Sequence, residues 1–472
     1  MTLPYDLDHA LVRRKRPFFK VFLPTTIGLA FSCSQTATPP PIEVAKHSES
    51  TGSATAVYDP DPHHLWNRLF AAFYLREVED MEGVPVALGP NVVDPPLGLH
   101  PRFLLDGAVF ITCRDILVEF QKKRGHELIS DPLKRAVLQR DLWAVFDVLQ
   151  GVIPSNFLSD RGERIPRLTA EQEERRAALS RQIAQVIKAL ALPRSELDRL
   201  PNTYLLAVKS GAFSSHPVDQ KSADYLPSDL EAAESPWFEL FPPESGPRAK
   251  EGFLHTEVVR GRSVFRVFAR GPASPEGTVQ FKQWLEQMKK SLEARLGAKS
   301  DFYTHGEEYR QWEQTMKTLP VGSQFALLRR MACLDPDMNP VPTRVVESIQ
   351  IRIDGPHRNL NADHTFEEFA FDRRLLFAGR QGGLQPAREG EPHPAAFYAL
   401  GHLVSDEYGQ VVKLGKFPSA CFICHGTPVV SLSFVSQAGP QDPEKVGSRT
   451  MRWKMEQDDY KQLRDMASTQ PR

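Results

Sequence analysis

Residues 325–353, FALLRRMACLDPDMNPVPTRVVESIQIRI, contain the pattern that decides the fold. Two runs in this stretch, 325–334 and 344–353, are rich in β-branched and other apolar side chains, which favour strands. The residues between them, 335–342, include three prolines, two aspartates and an asparagine, which favour turns. The stretch therefore predicts two antiparallel strands joined by a turn-rich loop.

The second run also predicts which side chains share a face of the sheet. Apolar and more polar residues alternate there, as they do in a strand that is buried on one side. One face is expected to carry Val345, Ile349, Ile351 and Ile353. The opposite face is expected to carry Val346, Ser348, Gln350 and Arg352.

Similar runs recur elsewhere in the second half of the chain. Residues 263–270 and 369–377 are strand-like, and a helix is expected over about 275–296. We therefore expect residues 250–472 to form a mixed, strand-rich domain.

Residues 59–240 show the helical spacing of apolar side chains instead. Asp131-Pro132 is an N-cap followed by proline at the first helical position, and Gly125 is expected to close the helix before it. Four helices are expected, beginning near Asp61, Leu104, Asp131 and Thr169. The predicted fold class is α+β, with a helical N-terminal domain followed by the strand-rich domain.

Composition excludes several classes of protein. The chain has 472 residues, of which 41% are hydrophobic and 25% charged, as in ordinary folded proteins. Its 58 Lys and Arg residues almost balance 59 Asp and Glu residues, so a general nucleic-acid-binding surface is not expected. The sequence contains no phosphate-binding glycine loop, no Gly-x-Ser-x-Gly elbow and no His-Glu-x-x-His motif.

Residues 1–33 have the pattern of an export signal. The basic stretch 13–16 precedes a mostly apolar stretch, 18–32, which is too short to span a membrane as a mature helix. The sequence Ala-Phe-Ser-Cys at 30–33 resembles a bacterial lipobox, and the resemblance implies that Cys33 is lipidated. The predicted location is the periplasmic side of the membrane, with a lipid anchor.

Other readings of the N-terminus stay open. Residues 15–20 resemble a variant twin-arginine signal, whereas Asp6 and Asp8 would fit better in a basic N-terminus that is not exported. Residues 34–58 are rich in Ser, Thr, Ala and Pro, and we expect a flexible tether there.

The sequence Cys421-Phe422-Ile423-Cys424-His425 fits Cys-x-x-Cys-His, the attachment site of a c-type haem. Two thiols three positions apart can each add to one vinyl group of the macrocycle, and the adjacent imidazole then lies beneath the iron. The stretch resembles c-type cytochromes. The resemblance implies one covalent haem c, with thioether bonds to Cys421 and Cys424 and with His425 as the proximal ligand of the iron.

A zinc half-site and a thioredoxin-like redox pair are the alternatives for these thiols. A zinc ribbon needs a second cysteine pair, but Cys33, Cys113 and Cys333 are single and far apart. A redox pair normally opens a helix near the N-terminal third of its domain, whereas Cys421 and Cys424 lie late in the expected domain 250–472. We expect Cys113 and Cys333 to be buried thiols.

The distal side of the iron has several candidate ligands. Met451 and Met455 follow His425 by 26 and 30 residues, and a thioether would suit electron transfer. Packing on a C-terminal helix is the alternative role for these methionines. Other candidates are Met466, His255, His305, His357, His364, His393 and His402.

The leading interpretation is an exported mono-haem c-type cytochrome that transfers single electrons. A haem-dependent oxidoreductase, peroxidase-like or acting on a small substrate, is the alternative if the sixth coordination position is open. A third hypothesis is a binding or sensor protein stapled by its haem. The expected partners are a redox protein or a small-molecule substrate, with the membrane reached through the lipid anchor.

Overall fold

The computed structural model describes one compact unit within Glu49–Arg472. The described residues are 56–80, 85–88, 101–151, 167–217, 224–241, 261–297, 314, 318–354, 365–388, 413–414, 437–438, 451–452 and 454–469. Helices and antiparallel strands are both present, which confirms the α+β class. The division into domains at 59–240 and 250–472 stays a prediction.

The described residues form ten α-helices, most of them in the first half of the chain. They are α1 (Leu65–Tyr74), α2 (Pro101–Leu105), α3 (Gly107–Lys122), α4 (Pro132–Leu149), α5 (Ala170–Leu190), α6 (Arg194–Leu197), α7 (Thr203–Lys209), α8 (Pro275–Gly297), α9 (Arg373–Phe377) and α10 (Asp458–Ser468). Short 3-10 turns lie at Gly125–Glu127 and Gln381–Gly383. Among these helices, none combines the length and the apolar composition that crossing a bilayer requires.

The strands are β1 (Arg76–Asp80), β2 (Pro85–Leu88), β3 (Phe238–Phe241), β4 (Ser263–Arg270), β5 (Gln324–Leu334), β6 (Pro340–Ile353), β7 (Thr365–Phe371), β8 (Leu384–Pro386), β9 (Lys413–Leu414) and β10 (Gln437–Ala438). Within the described residues, seven of them form an antiparallel sheet in the order β10-β3-β4-β5-β6-β7-β8. The order β2-β1-β9 makes a smaller sheet, in which β9 runs parallel to β1.

The hairpin predicted from residues 325–353 is confirmed. Strands β5 and β6 pair antiparallel from Gln324 with Ile353 to Leu334 with Pro340. The turn between them is shorter than expected, because pairing resumes at Pro340. Asp335 holds this turn by accepting the backbone N–H of Asn339 at 2.7 Å.

The predicted alternation along β6 is wrong at one point. The β5–β6 register shifts on both sides of Arg330, so that extra residues of β6 bulge out of the ladder. Val345 consequently packs in the cluster formed with the helices, whereas Ile349 and Ile351 pack in a different cluster. A bulge exchanges the faces of all residues beyond it, which the simple alternation could not show.

The strand expected over 369–377 is also corrected. The strand β7 ends at Phe371, and helix α9 follows. Asp372 starts the helix because its carboxylate accepts the backbone N–H groups of Arg374 and Leu375 at 2.7 and 3.0 Å.

The starts of two helices were predicted correctly from their capping residues. Asp131 caps α4, and Thr169 caps α5 in a capping box with Gln172. Helix α1, however, begins at Leu65 rather than near Asp61. His64 is its N-cap, with Nδ1 accepting the N–H of Trp66 at 3.2 Å.

Helix α3 ends at Lys122, shortly before the expected stop at Gly125, but Gly125 does not have a left-handed conformation. Arg124 takes that conformation, with φ at 51°. Gly125 is needed for close packing instead, because a Cβ there would lie 2.5 Å from the Phe120 ring. Its carbonyl also accepts the indole N–H of Trp66 at 2.7 Å.

Helix α4 lies at the centre of the largest apolar cluster. This cluster joins helices α1, α3, α4, α5 and α10 to the ends of strands β5 and β6. Two further clusters lie on the large sheet, one beneath α7 and the segment 225–237, the other beneath α8. In the main cluster, helices from the first half of the chain therefore pack against strands from the second half.

Candidate functional site

The residues predicted to attach haem, Cys421, Cys424 and His425, and the cysteine predicted to be lipidated, Cys33, lie outside the described residues. Described strands flank the haem motif in the chain. Strand β9 ends seven residues before Cys421 and pairs with β1, while β10 begins twelve residues after His425 and pairs with β3.

The two leading candidates for the distal ligand differ in exposure. The side chain of Met451 is buried in the main cluster, at 5% exposure, whereas Met455 is 37% exposed. Met466 lies on α10 and packs against the same cluster. In the described part of the chain, no group of three or more His, Cys, Asp or Glu side chains is arranged to hold a metal ion.

The two cysteines that the structure describes are buried free thiols, as predicted. Burial raises the pKa of Cys113 to about 12 and also raises the pKa of Cys333. Each Sγ lies near a backbone carbonyl, that of Ala72 at 3.5 Å and that of Ala136 at 3.6 Å. Thiols held in the neutral form are poor metal ligands and poor nucleophiles.

The segment that carries Met451 and Met455 is anchored by a buried lysine. Lys454 is fully buried, and its Nζ lies 2.8 Å from a carboxylate oxygen of Asp147 and 3.1 Å from one of Asp459. The ammonium group also lies 5.5 Å from the centre of the Trp143 ring. This contact fixes the C-terminal segment against helix α4.

The indole nitrogen of Trp143 is a second buried polar group in this region. Its N–H has no hydrogen-bond partner among the described residues. A buried donor without an acceptor costs about 1–3 kcal/mol.

Helix α4 carries a second set of buried charges toward the sheet. Arg140 Nε lies 3.0 Å from Glu347 Oε1, and Arg329 Nε donates to Glu347 Oε2 at 3.0 Å. Ser263 also hydrogen-bonds to Glu347. These buried groups join α4 to strands β4, β5 and β6.

A third set centres on Asp141. Arg373 pairs with its carboxylate, and the Tyr58 hydroxyl donates to it at 2.6 Å. Burial and the neighbouring carboxylate together raise the pKa of Tyr58 well above its usual value. The guanidinium of Arg373 also lies 5.0 Å from the Phe70 ring centre and 5.2 Å from that of Tyr74.

Sequence reasoning missed these buried charges, although a signal was present. Gln139, Arg140, Asp141 and Asp147 interrupt the apolar part of helix α4, which begins at Ala136, and all four are almost fully buried. A helix that is apolar on all sides is a core helix, and polar residues within it must find partners. Their arrangement supports the fold.

No family model, curated protein or solved structure matches the chain. A function is therefore inferred from this chain's own residues.

Proposed function

We propose that the protein is an exported mono-haem c-type cytochrome that transfers electrons at the membrane surface. The observation that carries the proposal is the sequence Cys421-Phe422-Ile423-Cys424-His425. It supplies two thiols for thioether bonds and an imidazole for the iron, at the spacing that c-type haem attachment needs.

The export signal proposed for residues 1–33 supports the same function. Bacterial attachment of haem to such motifs takes place outside the cytoplasm, and an export signal would carry the chain there. The cysteines that the structure describes, Cys113 and Cys333, are buried neutral thiols that supply no second metal-binding pair. This favours haem attachment over a zinc site for the Cys421 and Cys424 pair.

The remainder of the chain would provide a rigid frame for the haem. Buried ion pairs tie α4 to the large sheet and to the C-terminal segment that holds the candidate distal methionines. A rigid frame would keep the ligands of the iron in the same positions in both oxidation states. This would lower the reorganisation energy of electron transfer.

The test is covalent attachment of haem in the full-length protein, produced in a host that exports it and matures c-type haems. The double variant Cys421→Ala with Cys424→Ala should show no haem staining on a denaturing gel. The matched control, Cys333→Ala, also loses a thiol but should keep covalent haem. Staining that survives in the double variant would disprove the proposal.

The oxidised spectrum of the wild-type protein then separates the two redox functions. A low-spin, six-coordinate iron supports electron transfer. A high-spin iron that binds carbon monoxide or cyanide readily would replace this proposal with a haem-dependent oxidoreductase acting on a small substrate.

A further inference from the structure

An open cleft of about 660 Å³ lies beside helix α9. Four parts of the chain form it: the loop after α7, the residue Asp224, helix α9 with the turn that follows it, and strand β8 with the residues just beyond. Its volume lies in the range of about 300–1,000 Å³ that is typical of small-molecule sites.

Positive charge predominates in the cleft. Three guanidinium groups line it, those of Arg374, Arg380 and Arg388, together with two carboxylates, those of Asp224 and Asp372. Both carboxylates are already engaged. Asp372 accepts two backbone N–H groups of α9 at 2.7 and 3.0 Å, and Asp224 pairs with Arg388 at 2.5 Å.

Among the three arginines of the cleft, Arg380 has the fewest contacts with other side chains. Its side chain is exposed, and no described residue accepts a hydrogen bond from its guanidinium or pairs with it. Arg374 is nearly as available, since its NH2 group lies 3.5 Å from Asp372 and its side chain is 48% exposed.

The turn that carries Arg380 is held in place by its backbone. The N–H of Arg380 donates to the carbonyl of Leu375 at 2.9 Å, and its carbonyl accepts from Gly383 at 2.8 Å. Gly382, with φ at 60°, packs so closely on helix α7 that a Cβ would lie 2.0 Å from the carbonyl oxygen of Thr203. Arg380 therefore projects from a backbone that has little freedom to move.

Part of the cleft lining is apolar. Phe213, Leu375 and Pro386 contribute to its lining. The Phe213 ring is fixed by an edge-on contact with the Phe369 ring, whose centre lies 5.0 Å away. An apolar surface next to guanidinium groups suits a molecule that has one charged end and one apolar end.

We propose that this cleft binds a small organic anion, whose carboxylate or phosphate group contacts Arg380 and Arg374 and whose apolar part lies on Phe213. Guanidinium groups bind both kinds of anion in a bidentate manner. The proposal does not depend on the haem, since every residue that carries it belongs to the described cleft.

Titration calorimetry of the full-length protein tests the proposal, with benzoate and phenyl phosphate as probes. At least one of them should bind saturably, and benzyl alcohol, which lacks the charge, should bind at least about tenfold more weakly. Inorganic phosphate should bind more weakly than phenyl phosphate, because it has no apolar part that could contact Phe213. No saturable binding of either aromatic anion up to about 10 mM would overturn the proposal.

Variants locate the site. Arg380→Gln should weaken binding of the anion at least about tenfold, and Arg380→Lys should restore part of it. Arg181→Gln removes an exposed arginine from helix α5, outside the cleft, and should leave binding unchanged. Equal melting temperatures would show that the variants fold. Equal affinities of wild type and Arg380→Gln would overturn the proposal.

Discussion

The side-chain amide of Gln139 makes two hydrogen bonds to the backbone of Leu334. Its Nε2 donates to the Leu334 carbonyl at 2.8 Å, and its Oε1 accepts the Leu334 N–H at 2.8 Å. Asp335, the next residue, donates its N–H to the Asn339 carbonyl on the β6 side, so the backbone groups of Leu334 point to the opposite edge of β5. Strand β4 on that edge does not reach Leu334, because its last pair with β5 is Ser263 with Met331. Helix α4 therefore supplies, through one side chain, the partners that β4 does not provide for Leu334.

Loss of this amide should destabilise the fold strongly. Gln139→Leu leaves both backbone groups of Leu334 buried without partners, and also the Ile187 carbonyl, which accepts from Gln139 at 3.2 Å. We expect the free energy of unfolding to fall by about 2–4 kcal/mol in denaturant titrations. Gln121→Leu is the control, because Gln121 is only partly buried and bonds mainly to Gln185. Equal losses in the two variants would contradict this account.

The buried carboxylate of Glu347 should be equally critical. Glu347→Gln removes the negative charge shared by Arg140 and Arg329, which leaves two buried guanidinium groups without it. The expected loss in the free energy of unfolding is about 3–5 kcal/mol.

Glu119 provides a matched control at the surface. It also bridges two cations, Arg68 and Lys123, each at 2.8 Å, but the three side chains are 26–60% exposed. Glu119→Gln should therefore cost no more than about 1 kcal/mol. A loss for Glu347→Gln as small as that for Glu119→Gln would show that water reaches the interior pair.

The hairpin of β5 and β6 could be predicted because its evidence is local: strand-forming runs and a turn lie within one stretch of sequence. The capping residues Asp131 and Thr169 were predictable for the same reason. The docking of α10 against α5 and α4 was not, because it brings together residues far apart in the chain and depends on pairs such as Lys454 with Asp147.

The candidate sites divide in the same way. The candidate haem-attachment motif can be recognised in the sequence because its residues are contiguous, at 421–425. The arginine-lined cleft assembles residues 213, 224, 374, 380 and 388, and no spacing in the sequence predicts that they meet. Exposed arginines are common on any surface, so their convergence is visible only after folding.

The stability of the protein should depend on pH through Glu367. Burial raises the pKa of its carboxyl from 4.5 to about 7 in the folded state, with Asp224 adding to the effect. The folded protein then holds a proton that the unfolded chain releases between about pH 4.5 and 7. Stability should therefore be greatest below this window and fall as the pH rises through it.

Glu367→Gln tests the pH dependence. The amide oxygen can still accept the backbone N–H of Tyr225, which the carboxylate accepts at 2.5 Å. At pH 8 the variant should exceed the wild type by about 1 kcal/mol in free energy of unfolding, a value reduced for partial exposure. Glu174→Gln, at an exposed position on α5, should leave the slope unchanged. Parallel stability curves for Glu367→Gln and wild type would contradict the assignment.

Lipidation of Cys33 should decide where the protein resides. The full-length wild-type chain should partition with membranes, and Cys33→Ala should release it or stall its processing. Fractionation and mass spectrometry of the N-terminus measure both effects. A wild-type protein found only in the soluble fraction would contradict the proposed anchor.

The last prediction concerns the sixth ligand of the proposed haem. Leucine replaces methionine with little change in volume but has no sulfur, so Met451→Leu and Met455→Leu separate ligation from packing. If one of them binds the iron, its variant should lose the weak sulfur-to-iron band in the far red and have a lower reduction potential. It should also bind carbon monoxide or cyanide rapidly.

The other methionine variant serves as the control, together with Met466→Leu. Met451 is buried in the main cluster, so Met451→Ala would mix ligand loss with a cavity cost of about 2–5 kcal/mol, which the leucine variant avoids. A low-spin wild-type spectrum without the sulfur band would assign the position to a histidine instead. A high-spin wild-type iron that already binds these small ligands would end the electron-carrier proposal, because an open position is what catalysis at a haem requires.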